Sequence, residues 1–358
     1  MTKKIIFSTG GTGGHILPAI NLMKHFSDKK YKVLLVTDIR GKSYIKDYSE
    51  FDSYILRTGT FTNKNFFKKI ISLILICYSI IKSIIILKRE KPDLVFGFGG
   101  YVSFPISFSS RFFGLPLIIY ENNMVMGRAN KYLSSFSKRI LLAKNITENF
   151  PKKYQSKTYE VGTILSKEIV NCKYLKKEHS DKFSILVLGG SQGAEIFGKI
   201  IPEVIKKLKD SGNKIEINQQ CIANQKNFIS DFYNKNNIKN YVFEFDKNIL
   251  NLVLSSSLAI TRCGASTTAE LAHTLTPFIA VPLPNSIDNH QYLNAKYYER
   301  KGCCWLLEQN NFNINNLYNL IVEAIKNKKK LENIRNNMKK NYSKDVYNNI
   351  EKKIKDFV

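Results

Sequence analysis

Several polar side chains stand directly after short apolar runs, where they could act on a ligand rather than on the core. His15 follows Gly10-Gly11-Thr12-Gly13-Gly14. An imidazole there titrates near neutral pH and can accept a proton; a histidine that only caps or packs at a helix start is the competing reading. Ser266, Thr267 and Thr268 stand where a helix would begin, between Ala265 and Ala269. Their hydroxyls can donate to phosphate oxygens, and Glu270, one turn in, can accept from two vicinal ribose hydroxyls. The alternative is an N-cap serine with its capping-box glutamate. Asp288, His290 and Gln291 suit sugar hydroxyls, or else cap a loop. Tyr120-Glu121-Asn122-Asn123 ends another apolar run with polar groups.

These groups need a scaffold, and the pattern around them supplies one. Ile5-Ile6-Phe7 reads as a strand, and Ile16, Ala19, Ile20 and Met23 are spaced as one face of a helix. Strand, glycine loop and helix start in that order bring backbone N–H groups to an anion or a developing negative charge. The loop is not a dinucleotide fingerprint, because Ile16 takes the place of the last glycine. Gly41-Lys42-Ser43 is not a P-loop end, because Val36 takes the place of its leading glycine. Asp38 ends the second apolar run, where a ribose-binding acid of a nicotinamide enzyme would stand.

Lys4–Ser8, Val33–Thr37, Ser53–Leu56, Leu94–Phe96, Leu117–Tyr120 and Ile140–Leu142 read as strands, with helical segments between most of them. Such alternation predicts a parallel sheet covered on both faces, with ligands outside the carboxyl ends of its strands. A second glycine loop, Gly97-Phe98-Gly99-Gly100-Tyr101-Val102-Ser103, follows one strand. After a basic, linker-like stretch near 162–178 the arrangement recurs. Ser184–Leu188 runs into Gly189-Gly190-Ser191-Gln192-Gly193-Ala194, where Ser191 and Gln192 suit a pyrophosphate. Twin nucleotide-binding halves facing a common cleft are implied. Residues 66–89 are apolar nearly all round, interrupted by Lys82. They read as a buried helix, as a membrane span, or as a helix whose outer face rests on an anionic bilayer beside Lys68, Lys69, Lys88 and Arg89. Val346, Ile350, Ile354 and Phe357 mark a terminal amphipathic helix that must dock somewhere.

The 358 residues suit two domains. Lys+Arg 55 against Asp+Glu 29 gives a net charge of +26, which admits nucleic acid, an anionic membrane or an acidic substrate as partners. Abundant Lys, Asn and Ile throughout make compositional drift the alternative. The six cysteines form no C-x-x-C, so neither a zinc site nor a disulfide framework is indicated. Ile5-Ile6-Phe7 is too short for a signal-peptide core, which points to the cytoplasm.

Read together, Gly10–His15, Gly97–Ser103, Glu121–Asn123, Gly189–Ala194, Arg262–Glu270 and Asp288–Ala295 match G-G-T-G-G-H, G-x-G-G-Y-V-S, E-x-N, G-G-S-Q-G-A, R-x-G-A-x-T-x-x-E and D-x-x-Q-x-x-N-A, in order. In this the chain resembles the MurG family of bacterial UDP-N-acetylglucosamine:lipid I N-acetylglucosaminyltransferases, in glycosyltransferase family 28. The resemblance implies an α/β chain of GT-B fold, two Rossmann-like domains facing across a cleft. Residues 1–162 would be the acceptor and membrane-contacting domain, 163–340 the UDP-sugar domain, and 341–358 a helix crossing back to the first. It implies inverting transfer of N-acetylglucosamine to lipid I at the cytoplasmic face of the inner membrane, giving lipid II, with no metal, no cofactor and no nucleic acid. It further implies Thr12, Gly13, Gly14 and Asn123 near the sugar, Ser191 at the diphosphate, and the backbone near Asp246 at the uracil. Ala265, Ser266, Thr267, Thr268, Ala269 and Glu270 would hold phosphate and ribose, Gln291 the sugar hydroxyls, and His15 would be the base. Where the family has G-N-P-V-R, this chain has Gly162–Ser166. Ser166 therefore replaces a donor-binding arginine, with Lys167 next. Other UDP-sugar enzymes of the same fold, epimerases included, are the alternative; a nucleic-acid binder or a nicotinamide oxidoreductase would rest on the charge or on Asp38 alone.

Overall fold

A computed structural model of the chain describes residues 2–11, 13–45, 51–59, 66–145, 148–172, 182–190, 194–341 and 345–358. The chain divides into two units, residues 1–166 with 343–358, and residues 167–342. Among the candidate residues, Thr12 and Ser191 lie outside the described residues.

The first unit is built on a seven-stranded sheet: β1 (Lys4–Ser8), β2 (Lys32–Thr37), β3 (Asp52–Ile55), β4 (Leu94–Gly97), β5 (Leu117–Glu121), β6 (Arg139–Leu142) and β7 (Thr158–Glu160). The order is β3-β2-β1-β4-β5-β6-β7, and every pairing is parallel. The strands expected from the sequence are all present, with ends displaced by a residue at most. Ile5, Ile6 and Phe7 are wholly buried because helices cover both faces of a parallel sheet, which is why the run shows no alternation. The chain leaves β1 toward β2 on one side and returns to β4 on the other. The loops after β1 and β4 therefore open side by side at the switch point, where such sheets hold ligands.

The last helix, Val346–Ile354, belongs to this unit. Its Val346, Ile350 and Ile354 share a core with Ile5, Phe7 and Phe26. Glu351 is 2.5 Å from Lys29 Nζ and is also bonded to His25 Nε2. Tyr347 donates its hydroxyl to Leu165 O at 2.5 Å.

The helix Phe66–Glu90 turns a stripe of small residues inward. Ser72, Ile76, Ser79, Ser83 and Ile86 repeat at helical spacing and are buried. The serines permit close approach: a Cβ on Gly59 would lie 2.4 Å from Ser72 Cα. Phe67, Ile71, Ile74, Tyr78, Ile81 and Ile85 form the opposite stripe and are all exposed. The helix is thus not a buried one, although it is long and apolar enough to cross a membrane by length and composition.

The second unit repeats the plan with β8 (Phe183–Leu188), β9 (Ile215–Gln220), β10 (Lys239–Phe243), β11 (Leu258–Thr261), β12 (Phe278–Ala280) and β13 (Cys304–Leu306). The order is β10-β9-β8-β11-β12-β13, again all parallel. Its switch point falls between β8 and β11, so Gly189-Gly190 and the Arg262–Gly264 turn are neighbours.

Candidate active site

In the first unit the two glycine loops pack backbone to backbone. Phe98 N–H donates to Ser8 O at 2.8 Å. A Cβ on Gly10 would overlap Val102 Cβ at 2.5 Å, and one on Gly100 would lie 3.4 Å from Gly10 O. Gly11, Gly99 and Gly100 have φ of 80°, 80° and 75°, a region that only glycine enters at little cost. His15 is half-buried in the first turn of the helix Gly13–Asp28. A Cβ on Gly99 would stand 3.5 Å from its Cε1, so the second glycine loop leaves room for the imidazole.

That helix contains Pro18, which has no N–H to give Gly14 O. The Asn122 side-chain amide supplies the missing donor, at 3.2 Å. Asn122 therefore holds the turn that carries Gly13, Gly14 and His15, a role that the sequence reading missed.

The polar end of β5 differs from the expectation that its side chains point at the crevice. Glu121 is buried, and its Oε1 accepts from Asn123 N and Nδ2 at 3.1 and 3.2 Å. Its Oε2 accepts from Gly127 N and Asn130 Nδ2 at 3.0 and 2.9 Å. A carboxylate engaged this fully shapes the loop and is not available to a substrate; Asn123, half-buried, is the residue it presents. Tyr120 is buried too, its hydroxyl accepting from Ile164 N at 3.1 Å and bonding Gly162 O at 3.1 Å. Burial pushes its phenol far up, so it stays protonated. Ser166 is half-buried, while Lys167 is exposed at the start of a short helix, Lys167–Val170.

In the second unit the helix Ala265–His273 begins at Gly264. Ala265, Ser266, Thr268 and Ala269 are buried and Thr267 is half-buried. The Thr268 hydroxyl is turned back to Gly264 O and Ala265 O, at 3.0 and 3.2 Å, so it braces the turn. Glu270 is no capping partner. Its carboxyl is half-buried, and among the described residues no N–H, hydroxyl or cation donates to it. Burial pushes it up to about 7. A partly desolvated carboxyl in this position has acceptor capacity open to a hydroxyl donor.

Gln291 spends its amide oxygen on the protein, accepting from Cys263 N at 3.1 Å and Leu283 N at 3.0 Å. Its NH2 group remains as the donor. Asp288 and Asn289 both have positive φ, 50° and 56°, immediately before the helix His290–Arg300, a costly conformation for two consecutive non-glycine residues. Asp246 is half-buried and accepts from Asn248 N at 2.6 Å, fixing the turn before the helix Ile249–Ser255. Arg262, part of the same motif, is structural. Its Nη1 donates to Val281 O and Pro282 O, both at 3.2 Å, and its Nη2 to Gln309 Oε1 at 2.6 Å. Among the described residues no group of three or more His, Cys, Asp or Glu could hold a metal ion.

The first unit thus gathers Gly13, Gly14, His15 and Asn123 at one switch point. The second gathers Ala265–Glu270 and Gln291 at another, with Asp246 ending the loop after β10.

Two parallel-sheet units with paired glycine turns at their switch points define a glycosyltransferase fold of the GT-B class. A solved structure of MurG from Acinetobacter baumannii has this fold, with a TM-score of 0.81 at 23% identity over 99% of this chain and 100% of that one. A solved UDP-N-acetylglucosamine 2-epimerase shares it less closely, with a TM-score of 0.66 at 11% identity over 99% of this chain and 96% of the other. Sequence separates what fold leaves together. Residues 5–142 match the glycosyltransferase family 28 N-terminal domain and residues 184–350 its C-terminal domain. The UDP-N-acetylglucosamine–N-acetylmuramyl-(pentapeptide) pyrophosphoryl-undecaprenol N-acetylglucosamine transferase of Pelagibacter ubique is 36% identical over 99% of this chain and 98% of its own. The enzyme of the same name from Rickettsia canadensis is 37% identical over 94% of this chain and 95% of its own. The chain belongs to this family of transferases.

Proposed function

We propose that the chain transfers N-acetylglucosamine from UDP-N-acetylglucosamine to lipid I, undecaprenyl-pyrophosphoryl-N-acetylmuramoyl-pentapeptide, and so forms lipid II. The observation that carries this reading is Glu270. In a chain with full-length transferase relatives, it is a half-buried carboxyl that lacks donors among the described residues and follows the phosphate-suited turn Gly264–Thr268. Vicinal ribose hydroxyls are the donors it would accept from. Ser266 and Thr267 and the helix N-terminus suit the diphosphate, the backbone near Asp246 the uracil, and the Gln291 NH2 group the sugar. The family motif Gly189–Ala194 assigns Ser191 to the diphosphate as well. Ser166 offers only a hydroxyl where the family has a guanidinium, and Lys167, one position along, is the neighbouring cation that can take that role.

In the reaction, a hydroxyl of the muramyl sugar attacks the anomeric carbon of N-acetylglucosamine. The new C–O bond forms as the bond to UDP breaks, with inversion. His15 takes the hydroxyl proton, and Thr12, Gly13, Gly14 and Asn123 line the sugar side. The charge on departing UDP is met by helix N-termini and hydroxyls.

The acceptor is lipid-linked, and the exposed stripe Phe67–Ile85 suits a bilayer surface. It runs about 27 Å, and the exposed Phe112 and Phe113 extend the apolar surface of this unit. Lys68, Lys69, Lys82, Lys88 and Arg89 on the same helix favour anionic headgroups. The reading is of a peripheral protein at the cytoplasmic face of the inner membrane.

A transfer assay with labelled UDP-N-acetylglucosamine and a lipid I analogue tests the proposal. Label in the lipid product only when both substrates are present is the expected result. Donor conversion that needs no acceptor would place the chain with the epimerases instead.

A further inference from the structure

We propose that Asp38 is a positioning residue for the transfer step, a carboxylate that clamps the His15 glycine loop to the second glycine loop. The inference rests on the transferase reading above, with His15 as its base.

Asp38 stands buried at the end of β2. Its Oδ1 accepts from Gly41 N at 2.8 Å, capping the short helix Ile39–Tyr44, and from Gly11 N at 3.3 Å. Its Oδ2 accepts from the Tyr101 hydroxyl at 3.0 Å and from Arg40 Nε and Nη2, both at 3.2 Å. Arg40 Nη2 also donates to the Tyr101 oxygen, and the guanidinium lies 5.4 Å over the Tyr101 ring. One carboxylate thus joins three stretches distant in sequence: the loop after β1, the turn after β2 and the loop after β4. Burial pushes its pKa up, but the Gly41, Tyr101 and Gly11 donors and the Arg40 charge together hold it below the ordinary value.

Capping a six-residue helix requires a single oxygen. The capping oxygen, Oδ1, also accepts from Gly11 N–H in the first loop, and Oδ2 takes the Tyr101 hydroxyl of the second, so the one carboxylate ties the two loops together. Gly11 lies four residues before His15, and Tyr101 two residues after Gly99, the glycine that makes room for the ring. Both loops are glycine-rich and held at positive φ, so neither is stiff by itself. Displacement of a reacting group by about 1 Å costs on the order of a hundredfold in rate. Every partner of Asp38 is a donor, which only a carboxylate can satisfy on both oxygens. The ribose-acid role of Asp38 in a nicotinamide enzyme is closed, because the protein itself uses both oxygens.

Asp38→Asn separates the cap from the clamp. The amide oxygen still accepts from Gly41 N–H and Gly11 N–H, but an NH2 group now faces the Tyr101 hydroxyl and Arg40, so the tie to the second glycine loop is lost. Steady-state transfer, calorimetric donor binding and thermal unfolding are compared with the wild type. Expected is a fall in kcat of about tenfold or more. The donor Kd should stay within about twofold and Tm within a few degrees. Tyr101→Phe removes one tie and leaves the cap whole; its loss is about threefold, and the double variant loses less than the product of the singles. Should Asp38→Asn fail to fold, Tyr101→Phe alone carries the prediction. Wild-type kcat in either folded variant overturns the clamp. A loss of kcat that follows Tm and donor affinity downward overturns it as well, since a cap alone would do that. A wild-type chain without transfer activity overturns the transferase reading and the clamp with it, whereas an active wild type beside an equally active Asp38→Asn overturns the clamp alone.

Discussion

Donor binding should release a proton, and Glu270 is the reason. Burial disfavours the charge and pushes its carboxyl up from an ordinary 4.5 to about 7, and among the described residues no donor compensates. Ribose hydroxyls donate more strongly to the ionised form, so binding moves the carboxyl back toward its ordinary value. With pKa values of about 7 free and about 4.5 bound, affinity at pH 6 is about tenfold below that at pH 8, and at pH 5 roughly fifty- to a hundredfold below. UDP-N-acetylglucosamine is the ligand to use, since its diphosphate diester has no group that titrates in this range. Calorimetry at pH 6 in buffers of different ionisation enthalpy should show nearly one proton released per donor bound.

The stability of the free protein runs the other way. The unfolded chain loses this proton near pH 4.5 and the folded one near 7, so folding stability falls as pH rises between them. Glu270→Gln removes that cost. It should raise the Tm of the ligand-free protein at pH 8, by an amount equivalent to about 1–3 kcal/mol, while donor affinity drops and its pH dependence disappears. A donor affinity that is flat from pH 5 to 8, or equal release of protons by Glu270→Gln, would refute the assignment.

Further outcomes follow from the same geometry. His15→Ala should lower kcat by about a hundredfold or more with donor affinity retained; an unchanged single-turnover rate removes His15 from the role of base. Asn122→Ala leaves Gly14 O without a donor and should cost about 1–3 kcal/mol in chemical denaturation. Adding Pro18→Ala supplies a backbone N–H for that carbonyl, so the double variant should recover part of the loss, and purely additive losses would contradict the pairing. Ile74→Glu with Ile81→Glu should weaken binding to anionic vesicles at least about tenfold while transfer to a soluble lipid I analogue persists. Vesicle binding unaffected by these changes or by raised salt would remove the helix Phe66–Glu90 from membrane contact.

Much of the frame was legible because parallel strands buried on both faces are short continuous apolar runs ended by glycine. Leu94–Phe96 and Ser184–Leu188 have that form, and Ile5–Phe7 reaches Gly10 after Ser8 and Thr9. The chemistry was less legible where one motif mixes ligand-facing and structural residues. Glu121 and Arg262 lie in matched motifs, yet the protein uses their charges to hold loops, while Glu270 in the same motif as Arg262 has no donor among the described residues. Residue type does not reveal which way a side chain turns; the hydrogen-bond partners do.

The sequence by itself determined the element order, the two repeated units and the positions of the glycine turns, since these depend on local apolar runs and on which residues tolerate positive φ. It also marked the spacing of Val346, Ile350 and Ile354. Tertiary structure decided what those turns lean on. Asp38 reaches Gly11 across 27 positions and Asn122 reaches Gly14 across 108, pairings that exist only because the strands before them lie near one switch point. It also decided which face of the helix Phe66–Glu90 is covered. A helix apolar all round has no preferred side, and close packing selected the stripe on which Ser72, Ser79 and Ser83 alternate with Ile76 and Ile86, leaving Ile71, Ile74, Ile81 and Ile85 outside.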